Sequence, residues 1–426
     1  MTTKPVQRVD TRQQTRIGST LSLLAAVLAG WLYVKPRTGG LTTNLIGYGL
    51  KIMAGALAPL ISVMGFLGAL MARRHRRPLT SLLGGAGALL AARFVHRLSE
   101  PHDGFEQAFG PDHAPPVPPV HRRWPRKARR GGRRPQVIRD LVYARVPDAE
   151  RPLLCDLWLP RTPRSGVAVI YLHGGSWQAF DKDVATRPFF RHLTDQGHVV
   201  MDVAYRLAHD TDMRGMLGDV KRAVAWMKRH AAYLGADPAR VVLSGGSAGG
   251  HLALLTAYTP NHPDLDPPDV RNIDTTVRGV IAYYPVADLR TLADHWSEQS
   301  MHPLATALGK ILGYFPPEGY LPWSRLVRRL FGAPLDDVGD ALLTFSPVAH
   351  VGPHCPPTLL IQGLHDHVIP VQDVHILHQM VHEAGRPSVL VELPQVEHAF
   401  DMIALPISPP AQAALCDVER FLSLMR

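Results

Sequence analysis

Cysteine is scarce in this chain of 426 residues, which contains only three. Cys155, Cys355 and Cys416 are far apart and form neither a C-x-x-C pair nor a metal-ligand spacing. An odd, scattered set gives no disulfide framework, and small buried thiols in a reducing compartment are the expected role. The sequence therefore predicts no disulfide-stabilised fold. Nothing in it implies a metal or an organic cofactor.

Acidic residues are scarce in the N-terminal third. Residues 1–135 contain 21 Lys and Arg against 5 Asp and Glu, so the net charge of +10 belongs to this part of the chain. The basic residues bracket hydrophobic runs and do not cover a folded face, which argues against a nucleic-acid partner. An anionic membrane surface, and hence membrane lipid, is the better partner.

Two uncharged runs in this region, residues 17–34 and 52–72, are long enough to cross a bilayer. The first ends in Trp31 and Tyr33, which suit the membrane interface. A third run, residues 79–92, has only 14 residues and three glycines, as is typical of an interfacial or re-entrant segment. We therefore expect residues 1–99 to form a multi-pass membrane anchor of two or three hydrophobic helices, with two spans favoured.

The number of spans decides on which side of the membrane the rest of the chain lies. With two spans, the basic N-terminal tail and the run Arg73–Arg77 lie on the same side. Since positive charge favours the cytoplasmic side, this arrangement predicts a cytoplasmic C-terminal domain. A third crossing by residues 79–92 would place that domain outside.

Residues 100–135 are rich in Pro and Arg and are expected to be a linker. From residue 136 to 426 short apolar runs alternate with helical patterns, which predicts an α/β domain with a parallel sheet. A helix is expected at residues 213–234. The predicted strands are Val167–Leu172, His198–Ala204, Val241–Leu243, Val280–Tyr284, Thr358–Ile361 and Val389–Leu393.

One long segment, residues 288–349, interrupts this alternation. An insertion of this length in a compact domain is normally a lid, so a lid-like insertion is expected here. Its aromatic residues either line an apolar pocket or form a small core within the insertion. They are Trp296, Phe315, Tyr320 and Trp323.

The segment Gly245–Gly249 has the form G-x-S-x-G, with Ser247 between a predicted strand and a predicted helix. A serine at such a turn is held in a strained backbone conformation with its hydroxyl accessible, as a nucleophile requires. In a chain with 36 glycines the pattern also arises by chance, so a plain glycine-rich turn is the alternative.

An earlier turn, His173-Gly174-Gly175-Ser176-Trp177, follows another predicted strand. Two glycines there allow consecutive N–H groups to point into a pocket, as stabilisation of an oxyanion requires. We expect Gly174 and Gly175 to form an oxyanion hole together with the N–H of Ala248.

A serine nucleophile needs a base and a residue that orients the base. Asp366 and His398 follow the ends of the last two predicted strands, at the same sheet edge as Ser247. Ser247, His398 and Asp366 are therefore the candidate catalytic residues. His365, His367, Glu392, Glu397 and Asp401 lie near them in sequence and are interpreted as surface or turn residues.

Taken together, these segments give the chain from about residue 136 a resemblance to α/β-hydrolase carboxylesterases and lipases of the hormone-sensitive-lipase and feruloyl-esterase-like branches, including membrane-anchored actinobacterial carboxylesterases. The resemblance implies an α/β-hydrolase fold and a Ser-His-Asp triad. The acid lies in a Gly-x-x-Asp setting, which is closer to the esterase-like branch. The segments are His173–Trp177, Tyr205–Ala208, Asp237-Pro238, Gly245–Gly250, Gly363–Gln372 and His398.

The resulting hypothesis is a membrane-anchored serine carboxylesterase acting on a small-molecule or lipid ester through an acyl-enzyme. An amidase or arylformamidase-like hydrolase is an alternative, because the H-G-G-x-W segment also occurs there. A non-catalytic membrane adaptor with a hydrolase fold is the alternative from another class. Nothing in the sequence indicates an oligomeric state.

Overall fold

The computed structural model describes residues 11–35, 41–100, 104–110, 134–147, 149–161, 163–296 and 321–426. A bundle of apolar helices precedes an eight-stranded sheet that has helices on both faces. Several predictions fall outside the described residues. They are the basic N-terminal tail, most of the linker including its proline and arginine runs, and Phe315 and Tyr320 of the insertion.

The helices before the sheet are α1 (Thr11–Tyr33), α2 (Leu41–Ala56), α3 (Ala58–Arg74), α4 (Pro78–Arg97) and α5 (Gly104–Phe109). The strands are β1 (Gln136–Ala144), β2 (Leu153–Leu159), β3 (Gly166–Leu172), β4 (Val199–Ala204), β5 (Ala236–Gly246), β6 (Gly279–Tyr283), β7 (Thr358–Gly363) and β8 (Ser388–Leu393). The remaining helices are α6 (Arg187–Asp195), α7 (Met213–His230), α8 (Ala248–Tyr258), α9 (Leu289–Trp296), α10 (Trp323–Phe331), α11 (Gly339–Thr344), α12 (Val371–Glu383) and α13 (Pro409–Leu424).

The strand order is β1-β2-β4-β3-β5-β6-β7-β8. Strands β3 to β8 run parallel to one another, as predicted. Strands β1 and β2 form an antiparallel edge, with β2 antiparallel to β4, that the sequence patterns did not predict. The carboxyl ends of β5, β7 and β8 lie at one edge of the sheet, because these strands run in parallel. A ligand site is expected at such an edge.

Both faces of the sheet are buried. Along β3, Ala168, Ile170 and Leu172 pack into the core on one face, and Val169 and Tyr171 pack into the core on the other. This period of two, with apolar residues at every position, explains why β3 reads as a continuous apolar run. The α/β-hydrolase fold class predicted from the sequence is confirmed.

The helices α1, α3 and α4 form a bundle with very short distances between backbones. A Cβ on Gly65 would lie 2.7 Å from the carbonyl oxygen of Gly84, and a Cβ on Gly87 would lie 2.7 Å from the carbonyl carbon of Ala25. Glycine at these positions lets the helices approach closely, as in helix pairs within membranes. The outward side chains are large and apolar, and Leu60 and Leu89 are 61% and 73% exposed.

The ends of this bundle differ in composition. The turn between α3 and α4 contains the run Arg73–Arg77, and Gly18 near the start of α1 packs against Met71 at this end. At the other end, Gly55 packs against Phe94 and Leu32. Because α3 runs antiparallel to both α1 and α4, one end of the bundle carries the arginine-rich turn and the other faces the hydrolase.

The expected second span, residues 52–72, is not one straight helix. It is divided between α2 and α3, which meet at an angle of 78°. Pro59 stands in the first turn of α3, where it has no N–H to donate to Gly55 and so ends the continuous helical ladder.

The third hydrophobic run is longer than predicted, because α4 continues through Arg93 to Arg97. Helices α1 and α4 are each long and apolar enough to cross a membrane, and the bent α2–α3 pair is a further candidate. Gly84 and Gly87, two of the three glycines in this run, are positions where α4 contacts its neighbours. Of the two spans expected at residues 17–34 and 52–72, the first corresponds to α1 and the second to the bent α2–α3 pair.

Part of the expected linker is folded. Phe105 of α5 is fully buried, and the guanidinium of Arg420 lies 4.3 Å from the centre of its ring. Phe109 packs edge to face against Phe421, with ring centres 6.3 Å apart. Residues 104–110 are therefore part of the hydrolase surface and not of a tether.

The predicted insertion lies between β6 and β7 and contains α9, α10 and α11. Trp296 and Trp323 pack edge to face with ring centres 5.2 Å apart, and the indole N–H of Trp296 donates to the carbonyl of Val368 at 2.8 Å. Both indoles pack against the main core. These two indoles therefore join the insertion to the main core of the domain.

Candidate active site

Ser247 lies at the turn between β5 and α8, with φ of 56° and ψ of −122°. A non-glycine residue in this region is strained, and here the surrounding structure maintains it. Gly249 allows the close crossing of strand and helix, because a Cβ there would lie 2.1 Å from the carbonyl oxygen of Leu172. The turn holds the serine hydroxyl beyond the carboxyl end of the sheet.

A chain of hydrogen bonds joins the three candidate catalytic side chains. The Nε2 atom of His398 lies 3.0 Å from the hydroxyl of Ser247, and its Nδ1 atom lies 2.8 Å from a carboxylate oxygen of Asp366. Asp366 follows β7 and His398 follows β8, so the two loops meet at the turn after β5. With Nδ1 donating to the carboxylate, Nε2 is free to accept the serine proton.

Asp366 is buried but well supplied with hydrogen-bond donors. The N–H groups of Val368 and Ile369 donate to one carboxylate oxygen at 2.9 Å each, and Gln362 donates to the other at 3.1 Å. Burial by itself would raise the pKa of Asp366, but the charge and hydrogen bond of His398, together with these N–H groups, hold it below its usual value. The site therefore keeps a carboxylate behind the imidazole.

The predicted oxyanion turn lies next to the serine. A Cβ on Gly174 would lie 3.4 Å from the Cβ of Ser247, and Gly175, Ser176 and Trp177 all have positive φ, of 113°, 52° and 60°. Three successive positive φ angles turn the backbone sharply beside the serine, where an oxyanion would form. Ala248 is the first residue of α8, where N–H groups have no acceptor within the helix.

The segment Tyr205-Arg206 supports this turn. The hydroxyl of Tyr205 donates to the carbonyl of His173 at 2.8 Å, and the two rings stack with centres 4.5 Å apart. The neighbouring Arg206 binds the buried carboxylate of Asp219 through two nitrogens, at 2.9 and 2.8 Å. The segment Tyr205-Arg206 thus fixes the loop that carries the glycines.

A buried histidine links the oxyanion turn to the insertion. The indole N–H of Trp177 donates to Nδ1 of His251 at 3.3 Å, and Nε2 of His251 donates to the carbonyl of Phe345 at 2.8 Å. Burial lowers the pKa of His251 to about 4, so the ring is neutral and one nitrogen can accept while the other donates.

The hydrogen bonds distinguish Asp366 from the other acidic residues that lie near His398 in the sequence. Asp401 accepts a hydrogen bond from the hydroxyl of Tyr284, and Glu392 pairs with His375 at 2.9 Å on the surface. The ring of Tyr284 also packs on the imidazole of His398, with centres 4.3 Å apart. Tyr284 has a φ of 37° and directly follows β6, a position that no sequence pattern marked.

Three residues interpreted as surface or turn residues are in fact at least half-buried and engaged around the site. Nδ1 of His367 donates to Glu397 at 2.9 Å, and Lys51 of α2 forms an ion pair with the same carboxylate at 3.3 Å. The ammonium of Lys51 also lies 2.6 Å from Nδ1 of His365. The sequence offered no signal for this contact, because Lys51 belongs to the N-terminal helices.

The arrangement can perform nucleophilic chemistry, since it combines a strained serine, an imidazole within hydrogen-bonding distance and an orienting carboxylate. Within the described ranges, no group of three or more His, Cys, Asp or Glu side chains is placed to hold a metal ion.

Comparison with known proteins identifies relatives of this domain. The chain is 31% identical over 272 residues to the probable carboxylic ester hydrolase LipM of Mycobacterium tuberculosis, covering 63% of this chain and 57% of LipM. It is 29% identical to the esterase LipQ of the same organism, covering 63% of this chain and 59% of LipQ. The chain thus spans less than three fifths of the length of these curated relatives.

Solved structures with the same fold include esterase 2 of Thermogutta terrifontis. Its apo form superposes with a TM-score of 0.53 and 26% identity, covering 71% of this chain and 97% of that one. The form phosphoramylated by tabun matches equally, with a TM-score of 0.53 and 25% identity. The BD-FAE family profile matches residues 155–381, which is more than half of the chain. The chain therefore belongs to the BD-FAE family, within the α/β-hydrolase fold.

Proposed function

We propose that this chain is a membrane-anchored serine carboxylesterase in which Ser247, His398 and Asp366 form the catalytic triad. The observation that carries the proposal is the continuous hydrogen-bonded path from the serine hydroxyl through the imidazole to the buried carboxylate. The names of LipM and LipQ, which describe ester hydrolases, support the same reaction class.

In the first half of the reaction, the Ser247 hydroxyl oxygen attacks the ester carbonyl carbon while Nε2 of His398 takes the hydroxyl proton. The carbonyl oxygen becomes an oxyanion, which the N–H groups of Gly174, Gly175 and Ala248 stabilise. The ester C–O bond then breaks, and the imidazolium returns its proton to the leaving alcohol. The product is an acyl-Ser247 ester.

In the second half, a water molecule attacks the acyl-enzyme and gives its proton to the neutral His398. The new oxyanion collapses, the proton passes to the oxygen of Ser247, and a carboxylic acid leaves. Throughout the cycle Asp366 fixes the tautomer of the imidazole and stabilises its charged form. The N–H groups that hold Asp366 ionised suit it to this role.

The test combines covalent labelling with hydrolysis by the full-length protein in detergent. A fluorophosphonate probe should label the wild type and not the Ser247→Ala variant, whose turnover of p-nitrophenyl esters should fall by about 10⁶. Ser244→Ala, three residues earlier in β5, is the matched control and should keep both properties. Labelling of Ser247→Ala, or preferred turnover of formylated arylamides, would reject the proposal in favour of another nucleophile or an amidase.

For the membrane anchor, we propose three crossings, by α1, α3 and α4, with α2 lying between the bundle and the hydrolase. Helix α3 has 17 residues and a length of about 26 Å, and α4 has 20 residues and a length of about 30 Å. These lengths are close to the thickness of the hydrocarbon core. The apolar outer face of the bundle supports its immersion in lipid.

This arrangement also favours one side for the hydrolase. The hydrolase contacts α2, at the end of the bundle opposite the Arg73–Arg77 turn, through Tyr48 and Lys51. Because four arginines in a short turn favour the cytoplasm, the hydrolase should face away from it. This proposal replaces the cytoplasmic placement expected from two spans, which would put α2 and the hydrolase on opposite sides of the membrane.

A further inference from the structure

Helix α2 presents two different faces. At about 100° per residue, Tyr48 and Lys51 lie on one side of the helix, and Leu50 and Met53 lie on the opposite side. Leu50 and Met53 are 52% and 43% exposed, whereas the side chain of Lys51 is 2% exposed. Tyr48 and Lys51 therefore face the protein, whereas Leu50 and Met53 face outward.

Tyr48 reaches the loop of the candidate base. Its hydroxyl donates to the backbone carbonyl of His398 at 2.8 Å, and its ring packs edge to face against His367 with centres 5.0 Å apart. A bond to the backbone of His398 fixes the loop without occupying either nitrogen of the imidazole. Tyr48 is therefore placed to hold the histidine in position without taking part in proton transfer.

Lys51 joins the loops of the acid and the base. Its ammonium pairs with Glu397, which precedes His398, and contacts His365, which precedes Asp366. Glu397 is fully buried, and its Oε1 atom pairs with Lys51. Its Oε2 atom accepts a hydrogen bond from His367, which directly follows Asp366 in the sequence. Removal of the lysine would leave a buried carboxylate without its cation, next to the candidate base.

The protonation of His365 agrees with this role. Burial lowers the pKa of His365 to about 4, and the charge of Lys51 acts in the same direction. The ring is therefore neutral at physiological pH, and its Nδ1 can accept a hydrogen bond from the ammonium. A single side chain from α2 thus contacts the residues that directly precede both candidate catalytic residues.

We propose that Tyr48 and Lys51 are positioning residues of the active site, so that catalysis depends on the docking of α2 against the loops of Asp366 and His398. This inference rests on the proposed esterase function and adds a requirement for a helix outside the hydrolase domain. Neither residue is expected to touch the substrate.

The first experiment uses Tyr48→Phe in the full-length protein in detergent micelles, with active sites counted by a fluorophosphonate. Loss of one hydrogen bond should lower kcat roughly fivefold, with KM changed by less than about twofold. Tyr33→Phe is the matched control, since it removes a hydroxyl that donates to a backbone carbonyl, that of Leu90 at 3.0 Å, inside the helix bundle. Its kcat should equal that of the wild type.

The second experiment uses Lys51→Met, which should lower kcat by about 10- to 100-fold, comparable to the loss when a residue that orients a metal ligand is replaced. The double variant Lys51→Met/Glu397→Gln removes the unpaired charge and should recover part of this loss. Lys221→Met is the control, because it breaks a fully buried Lys–Asp pair with Asp266, away from the site. It should reduce stability but not kcat per active site.

The outcomes separate this inference from the proposed function. If Ser247→Ala abolishes hydrolysis while Tyr48→Phe and Lys51→Met both keep kcat within about twofold of the wild type, the positioning role is rejected and the esterase stands. An equal loss of kcat in Lys221→Met would also reject it, as a general stability effect. If Lys51→Met does not fold, the Tyr48→Phe result decides alone.

Discussion

Asp366 and Asp401 are both close to the imidazole of His398, but only Asp366 forms a hydrogen bond with it. Nδ1 of His398 lies 2.8 Å from Asp366, while Asp401 accepts from Tyr284, whose ring packs against the same imidazole. The two carboxyls provide a matched pair of positions for testing the roles proposed at this site.

Substitution of the two acids should have very different effects on turnover. Asp366→Asn should lower kcat by about 10³ to 10⁴, because the amide favours the wrong imidazole tautomer. Asp401→Asn should lower kcat by less than about tenfold, since its partner is Tyr284 and not the imidazole. Steady-state hydrolysis of a p-nitrophenyl ester measures both. A larger loss in Asp401→Asn would show that the acid has been assigned to the wrong residue.

The same two variants should differ in the pH dependence of stability. The pKa of Asp366 is lowered in the fold, so its ionisation stabilises the protein above the unfolded-state value of about 3.9, and this contribution is lost as pH falls. Burial raises the pKa of Asp401, so its contribution is present below about 3.9 and lost as pH rises.

Melting temperatures between about pH 3 and pH 8 test this difference. Asp366→Asn should melt at a lower temperature than the wild type. This difference should be largest near neutral pH and smaller in acid. The melting temperature of Asp401→Asn should increase relative to that of the wild type as the pH rises. Parallel curves for the two variants would contradict the opposite pKa shifts.

Gly249→Ala tests the crossing of β3 and α8 behind the serine. Its Cβ would meet backbone atoms of Leu172 at 2.1 Å, a contact that a side-chain rotation cannot relieve. We expect a loss of more than about 3 kcal/mol in the free energy of unfolding. Gly339→Ala, with no atom within 4 Å of its added Cβ, should stay within about 1 kcal/mol of the wild type. Equal denaturation midpoints would contradict the close packing.

Neighbouring glycines of α4 test the packing of the helix bundle. Gly87→Val would place its Cβ 2.7 Å from backbone atoms of α1, whereas Gly85→Val meets nothing within 4 Å. Thermal aggregation in detergent should begin at a lower temperature for Gly87→Val and be unchanged for Gly85→Val. The reverse order would mean that α4 presents its other face to α1.

A reporter at the C-terminus tests the proposed three crossings. An alkaline phosphatase fusion should be active and a fluorescent-protein fusion dark, because the proposed topology places the hydrolase outside the cytoplasm. A fusion within the Arg73–Arg77 turn should give the opposite pattern. Fluorescence at the C-terminus would restore the two-span arrangement with a cytoplasmic hydrolase.

The sequence predicted the parallel part of the fold well, for a local reason. Strands such as β3 are apolar at every position because both faces are buried, and the turns after β3 and β5 carry glycines where the chains cross. The candidate residues could be named in order because Ser247, Asp366 and His398 each follow a strand of the same sheet. Local patterns and chain order were sufficient there.

The features that the sequence did not predict depend on contacts between distant segments. Glycine is unfavourable in an isolated helix, yet the packing of α4 against α1 and α3 requires Gly84 and Gly87. Glu397 was interpreted as a surface or turn residue because its cation, Lys51, belongs to another domain of the sequence. Periodicity does not report such pairs, since it describes only the face that a residue occupies and not what covers it.

The contact between Tyr48 and His398 spans 350 positions of the chain, which has a consequence for biosynthesis. Translation at 5 to 20 residues per second separates the two residues by roughly 20 to 70 s. For most of this interval the helix that contains Tyr48 has already left the ribosome, whereas the loop of His398 has not yet been synthesised. The nascent hydrolase domain therefore folds beside helices that have already been synthesised, and its last loop closes onto a helix among the first to be made.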